Sequence, residues 1–282
     1  MERAQAKQEF DKAVELAKRS DVVVLALGEL AMMSGELASQ SSLDLPGRQQ
    51  ELMEAIAATG KPVVLVLVNG RPLNITWAAS HIPAILEAWH PGNEGGNAIA
   101  DLLFGDANPG GKLPITWPRS EGQIPTYYAH NLTHQPEGGR GFTSRYWDQT
   151  GAPLYAFGYG LNYSKFAVSN LKVANGSVKL GGKVDLAVDV ENTGTRTGDD
   201  VVQVYIHQRA GRASRPVREL KGFEKVTLKA GEKKTLHFSL GRNELTYWSQ
   251  ASRDWVRDEA DFDLWVGLDS TATLHSEFHI VQ

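Results

Sequence analysis

The sequence predicts α/β followed by all-β: a layered region on a mostly parallel sheet, then an antiparallel β-sandwich. Three observations carry the prediction. Up to residue 118 short unbroken apolar runs alternate with helical patterns, beyond residue 166 apolar and polar residues alternate one for one, and turn-forming clusters separate the later runs.

The first element reads as an amphipathic helix rather than a signal peptide, because Phe10, Ala13, Val14 and Ala17 recur at three- and four-residue spacing among charges. DVVVLALGE, KPVVLVLVNG and PAILEAW then read as strands. Their apolar runs lack polar alternation, as expected of a parallel sheet with helices on both faces. RQQELMEAIAATG and EGGNAIADLLFG carry helical spacing. From Arg119 to about Tyr163 no period is visible, yet Tyr127, Tyr128, Phe142, Tyr146, Trp147, Tyr155, Phe157 and Tyr159 argue for a segment that packs on something or borders a site. Inward-facing residues of later strands follow at period two: Val184, Leu186, Val188 and Val190; Val202, Val204 and Ile206; Leu236, Phe238 and Leu240; Phe262, Leu264 and Val266. With the turn signals NTGTRTGDD, KAGEKK and LGRN between them, these predict a sandwich of about seven strands. The expected division is 1–118, an irregular 119–165, and 166–282.

Composition narrows the function classes. The 282 residues are 41% hydrophobic and 22% charged, with a formal net charge of −4, interspersed signs and no Cys. Such a chain offers no basic footprint for nucleic acid, no disulfide framework and no thiolate chemistry. No apolar run approaches the ~20 residues that span a bilayer, so no membrane partner is expected. The eight His lack ligand spacing, and PGNEGGNAIADLLFG lacks both the dinucleotide fingerprint and the P-loop lysine, so neither a metal nor a nucleotide cofactor is expected.

One carboxylate calls for explanation. In SGELASQSSLDLPGRQQ, residues 34–50, Glu36 stands in a loop of small and polar residues with no basic residue before Arg48, so local pairing does not account for it.

Five segments carry a resemblance that spans nearly the whole chain: GELAMMSGELASQSSLDLP, KPVVLVLVNGRPL, PGNEGGNAIADLLFGDANPGGKLPITWP, PLYAFGYGLNYSKF and SRPVRELKGFEKVTLKAGE. In this order and spacing they resemble the C-terminal half of glycoside hydrolase family 3 enzymes, the β-glucosidases of bacterial periplasmic type above all. The resemblance implies an incomplete α/β sandwich domain followed by a fibronectin type III-like, immunoglobulin-like β-sandwich. It begins inside the family's second domain. The family's barrel, expected in cis or as a separate chain, and the first strands of the α/β domain would then lie outside this sequence, and the chain alone is expected to be inactive. For the full-length enzyme a periplasmic or extracellular location is implied.

Retaining glycosidases use two carboxyl groups. The family takes its nucleophile, an Asp, from the barrel and its acid/base, a Glu, from a loop of the second domain. Gly28, Glu29, Glu36 and Leu43-Asp44-Leu45-Pro46 match the pattern around that Glu, which places Glu36 in the acid/base role and β-glucosides or oligosaccharides as substrate. Glu29 is expected to position the loop rather than to act chemically. Gln40 departs from the pattern: an Arg is common there in the family, and its loss removes a fixed positive charge. The alternative reading is a non-catalytic fragment, or a sandwich module binding carbohydrate or a partner chain, for which Trp248, Trp255 and Trp265 could make a stacking face, although packing also explains them.

Overall fold

The computed structural model describes residues 3–132 and 146–282, and Phe142 lies outside them. The chain divides into two compact units, the first running to Asp106 and including Pro118–Ile124, the second comprising Ala107–Trp117 and Pro125–Gln282.

In the first unit the elements follow as α1 (Arg3–Arg19), β1 (Val23–Gly28), α2 (Gln49–Ala57), β2 (Val63–Val68), α3 (Thr76–His81), β3 (Ala84–Glu87) and α4 (Gly95–Phe104). The strands form a parallel sheet in the order β1-β2-β3, with Leu25 opposite Leu65 and Leu65 opposite Ile85. β2 is central, and Val63, Leu65, Val66 and Leu67 are all buried beside Met53 and Ile56 of α2. Each such side chain contributes roughly 1.5–3 kcal/mol through its burial. β1 differs: Leu25 and Leu27 are buried, while Val22 and Val24 on the other side are 53% and 54% exposed. Two-sided cover therefore holds for β2 and fails at β1. On α1, Phe10 faces the chain under Arg48, whose guanidinium lies 4.5 Å from the ring centre. α4 ends at Gly105, whose φ of 82° supplies the left-handed cap.

The second unit is the sandwich. Its strands are β4 (Phe166–Val173), β5 (Ser177–Lys179), β6 (Val184–Asn192), β7 (Gly198–Gln208), β8 (Glu219–Leu228), β9 (Lys233–Leu240), β10 (Tyr247–Ser249), β11 (Asp254–Val256), β12 (Ala260–Gly267) and β13 (Leu274–Val281). One sheet runs β5-β13-β12-β7-β8, the facing one β4-β6-β9, and β10-β11 is a separate hairpin. All pairs are antiparallel except β5 with β13, which are parallel, because the chain between β4 and β6 leaves its own sheet to reach the edge of the other instead of turning back as a hairpin. The alternating residues read from the sequence form the core, with Phe262 stacked on Phe278 at 4.7 Å. Phe238 is only partly buried and packs against it.

The irregular aromatic segment has a job here. Tyr205 points to the opposite side of β7 from Val204 and Ile206 and is still fully buried. Tyr128 meets it edge-on at 5.8 Å and stacks on Phe157 at 4.3 Å, and Tyr155 stacks on Tyr159. Tyr146 and Trp147 remain exposed. Lys112 pairs with buried Asp200 at 2.8 Å, and Asn162 donates to the same carboxylate. Asn192, fully buried, is satisfied at both ends of its amide by Arg196 O, Leu228 O, Ser164 Oγ and Gly194 N, which fixes the NTG turn.

Candidate functional site

The polar groups of the first unit gather where its parallel strands end, the side of such sheets on which ligands bind. β1 closes with Gly28, whose φ is 134° and whose Cβ, if present, would lie 2.0 Å from Val68 O. No other residue fits. The Gln49 amide bonds both Gly28 N (2.7 Å) and Gly28 O (2.8 Å), so the strand end is satisfied although the ladder stops.

Glu29 follows and turns inward, only 7% exposed. Its Oε1 lies 2.9 Å from Arg71 Nε in an ionic contact, and its Oε2 accepts from Gly70 N at 3.2 Å. The chain then makes a short 3₁₀ turn at Ala31–Met33 and a loop in which Gly35 (φ 115°) and Leu37 (φ 61°) both adopt left-handed geometry. Glu36 sits between them, exposed, and among the described residues it makes no hydrogen bond or ion pair. Arg71 reaches this loop with Nη2, which donates to Met33 O and, at 2.9 Å, to Ala38 O. Gly70 has to be glycine, since a Cβ there would lie 1.9 Å from Ser34 Oγ. Gln40, just beyond, is exposed.

Farther along the loop Glu121 accepts from Leu43 N (2.6 Å) and Ser42 Oγ (2.9 Å). The Leu43 amide, then its own amide and the Ser42 hydroxyl, hold the Glu121 carboxyl below its ordinary range. Asn74 adds bonds to Leu43 O and Asp44 Oδ1.

Another carboxyl stands at the end of β3. Glu87 Oε1 accepts from Trp89 N at 2.9 Å, and Trp89 itself has φ 52°. Asn69, fully buried, donates from its backbone to Trp89 O and from its side chain to Arg71 O. Burial pushes Glu87 up to about 7, offset only in part by the Trp89 amide and Asn69. Glu87 Oε2 and Asn69 Oδ1 are buried acceptors without a donor.

Of the residues singled out in the sequence, Glu36 and Glu29 thus share one loop, linked through Arg71. Arg71, Asn69, Glu87 and Glu121 carry no periodicity and were missed. A signal for three of them existed, in the NGR that directly follows the β2 run and in the carboxylate that ends Ala-Ile-Leu-Glu. In the second unit Trp248 and Trp255 face each other across the β10-β11 hairpin at 6.0 Å, half-exposed and edge to face. Trp265 lies apart, under the Arg218 guanidinium at 4.4 Å. Asp263, His275 and Glu277 are close enough to share a cation, but Arg209 already bridges both carboxylates.

A parallel α/β sheet with its polar groups at the strand ends, followed by a fibronectin-like sandwich, defines the class. Residues 1–163 match the glycosyl hydrolase family 3 C-terminal domain and residues 200–270 the fibronectin type III-like domain. The chain belongs to glycosyl hydrolase family 3 and represents its C-terminal part. A periplasmic β-glucosidase of Salmonella typhimurium is 46% identical over 275 residues, covering 96% of this chain and 36% of that protein. A β-xylosidase of Formosa agariphila is 43% identical, with 95% and 36% covered. The β-glucosidase of Listeria innocua, solved with glucose, superposes with a TM-score of 0.91 at 37% identity, covering 98% of this chain and 38% of that one. The chain thus spans a little over a third of the length of these relatives. Among the described residues no helix is long and apolar enough to cross a membrane.

Proposed function

We propose that this chain is the C-terminal portion of a retaining β-glucosidase acting on terminal β-linked glucose, with Glu36 as acid/base and the nucleophile on a barrel outside the chain. One observation carries the reading: Glu36 is held between two residues of positive φ, beyond the ends of the parallel strands, exposed and with no hydrogen bond or ion pair among the described residues. An acid/base must be free to meet the substrate.

In the first step the glycosidic C–O bond breaks as the nucleophile's carboxylate bonds the anomeric carbon, and the Glu36 proton passes to the departing oxygen. In the second, ionised Glu36 takes a proton from water as that water attacks the anomeric carbon and frees the nucleophile. The two carboxyl groups must then stand about 5–5.5 Å apart. The chain alone has only one of them, so no aryl β-glucoside should turn over above background. The Salmonella relative's name supports a periplasmic location for the full-length enzyme.

The test uses a full-length form with a family barrel ahead of this chain. Glu36→Gln removes the transferable proton at constant size. A disaccharide, whose leaving group needs that proton, should slow by roughly 10² to 10⁴. An activated aryl glucoside should lose far less in its first step, and azide, which needs no base, should accelerate its turnover. Equal loss on both substrates with no azide effect would show that Glu36 is not the acid/base.

A further inference from the structure

The loop that carries Glu36 has positive φ on both sides of it, at Gly35 without strain and at Leu37 with it. A leucine with φ of 61° persists only where its surroundings over-determine it, and Leu37 is itself fully exposed, with nothing packed on its side chain. The hold therefore acts through the backbone, and Arg71 is the residue placed to supply it. Its Nη2 carries two hydrogens, one for Met33 O and one for Ala38 O, the carbonyls at either end of Ser34–Leu37. Its Nε faces Glu29, whose side chain is 2% exposed and is itself fixed by Gly70 N, while Asn69 holds the Arg71 carbonyl. The guanidinium is thus fixed from behind and grips the loop in front.

We propose that Arg71 is the positioning residue for the Glu36 carboxyl, with Glu29 as its anchor. The catalytic consequence rests on reading Glu36 as the acid/base, whereas the clamp itself does not. A general acid has to lie within hydrogen-bond reach of the departing oxygen, and misplacement by about 1 Å costs up to ~10²-fold in rate. A lysine at 71 keeps a cation for Glu29 but lacks the planar fork that serves an anchor and two carbonyls at once.

The clamp is tested in this chain by amide hydrogen exchange. Met33 N and Ala38 N bond Leu30 O and Gly35 O inside the loop, so they report its closure. In Arg71→Lys they should exchange at least about tenfold faster, with β2 amides unchanged. Unchanged exchange at both positions would overturn the clamp. Should Arg71→Lys loosen β2 as well, Glu29→Gln, which keeps size and removes only the anchoring charge, decides: faster exchange confined to the loop supports the proposal, and none refutes it. In the full-length form Arg71→Lys should slow the disaccharide by roughly 10- to 100-fold while nearly sparing the first step on the aryl glucoside, whose turnover azide should restore. An open loop with equal loss in the first step on both substrates and no azide effect would uphold the clamp and sink the acid/base reading, so the two fail separately.

Discussion

β7 and β1 use their two sides differently. In the sandwich, β7 buries Val204 and Ile206 on one side and Tyr205 on the other, where Tyr128 meets it. In the α/β unit, β1 buries Leu25 and Leu27 and leaves Val22 and Val24 more than half exposed, at the edge of a three-stranded sheet. The sandwich completes its own core within the chain. The α/β unit spends its polar contacts on holding one loop and leaves apolar surface and a strand edge facing water, an arrangement that costs stability and invites association.

The largest expected difference is in local opening. Limited proteolysis of the whole chain should cut the α/β unit at least ~10²-fold faster than the sandwich. The resistant product should keep Tyr155–Gly158 as well as 166–282, because Gly158 O accepts from buried Gln203 and Phe157 stacks on Tyr128. Mass spectrometry of the fragments checks both points, and equal cutting of the two units would break the comparison.

Next comes the sandwich core, where Phe278→Ala should cost about 3–5 kcal/mol in urea unfolding, since Phe278 is fully buried and stacked on Phe262.

The two units should also answer pH differently, because above about pH 4.5 only the α/β unit has the raised carboxyl of Glu87, while carboxylates held low, Glu121 of the α/β unit among them, act below it. Glu87 has a folded pKa of about 7 against an ordinary 4.5, so the folded state keeps a proton that the unfolded state releases. The α/β unit should therefore lose stability as pH rises from about 4.5 to 7, by up to roughly 3 kcal/mol, and level off above. Glu87→Gln should flatten that slope. In the sandwich, Arg209 holds Asp263 and Lys225 holds Asp199 below the usual carboxylate range. Their contribution is present above the unfolded pKa and lost as pH falls through the folded one. Unfolding curves followed by exchange at pH 3, 5 and 7 separate the two, and a common slope would remove the distinction.

The smallest effect is the sharpest probe of the bare face. Val24→Thr, on the exposed side of β1, should change stability by no more than about 0.5 kcal/mol, because little is buried there to lose.

Much of this was legible in advance, for identifiable reasons. The unbroken run of β2 and the alternation of β6, β7, β9 and β12 are long enough for period to decide, and the structure buries most of the residues so marked, with Phe238, Val64 and Val68 only partly covered. β5 escaped notice because three residues, Ser-Val-Lys, carry no period, and its parallel pairing depends on where the chain crosses between sheets. α3, only six residues long, failed for the same reason. At the site, the family pattern picked out Glu36 and Glu29, whereas Arg71 and Glu87 derive their roles from neighbours more than thirty and about twenty positions away, at Met33, Ala38 and Asn69, which no local pattern encodes.

Arg71 takes hold of Met33 and Ala38 by their carbonyls, and every residue type offers the same carbonyl. The grip is blind to which side chains stand at the tip. Side chains farther along the loop, Ser39 and Gln40 among them, can therefore change while the grip stays, whereas Gly35 is held to glycine by its φ of 115°. What the loop presents can thus change without any change in how it is held.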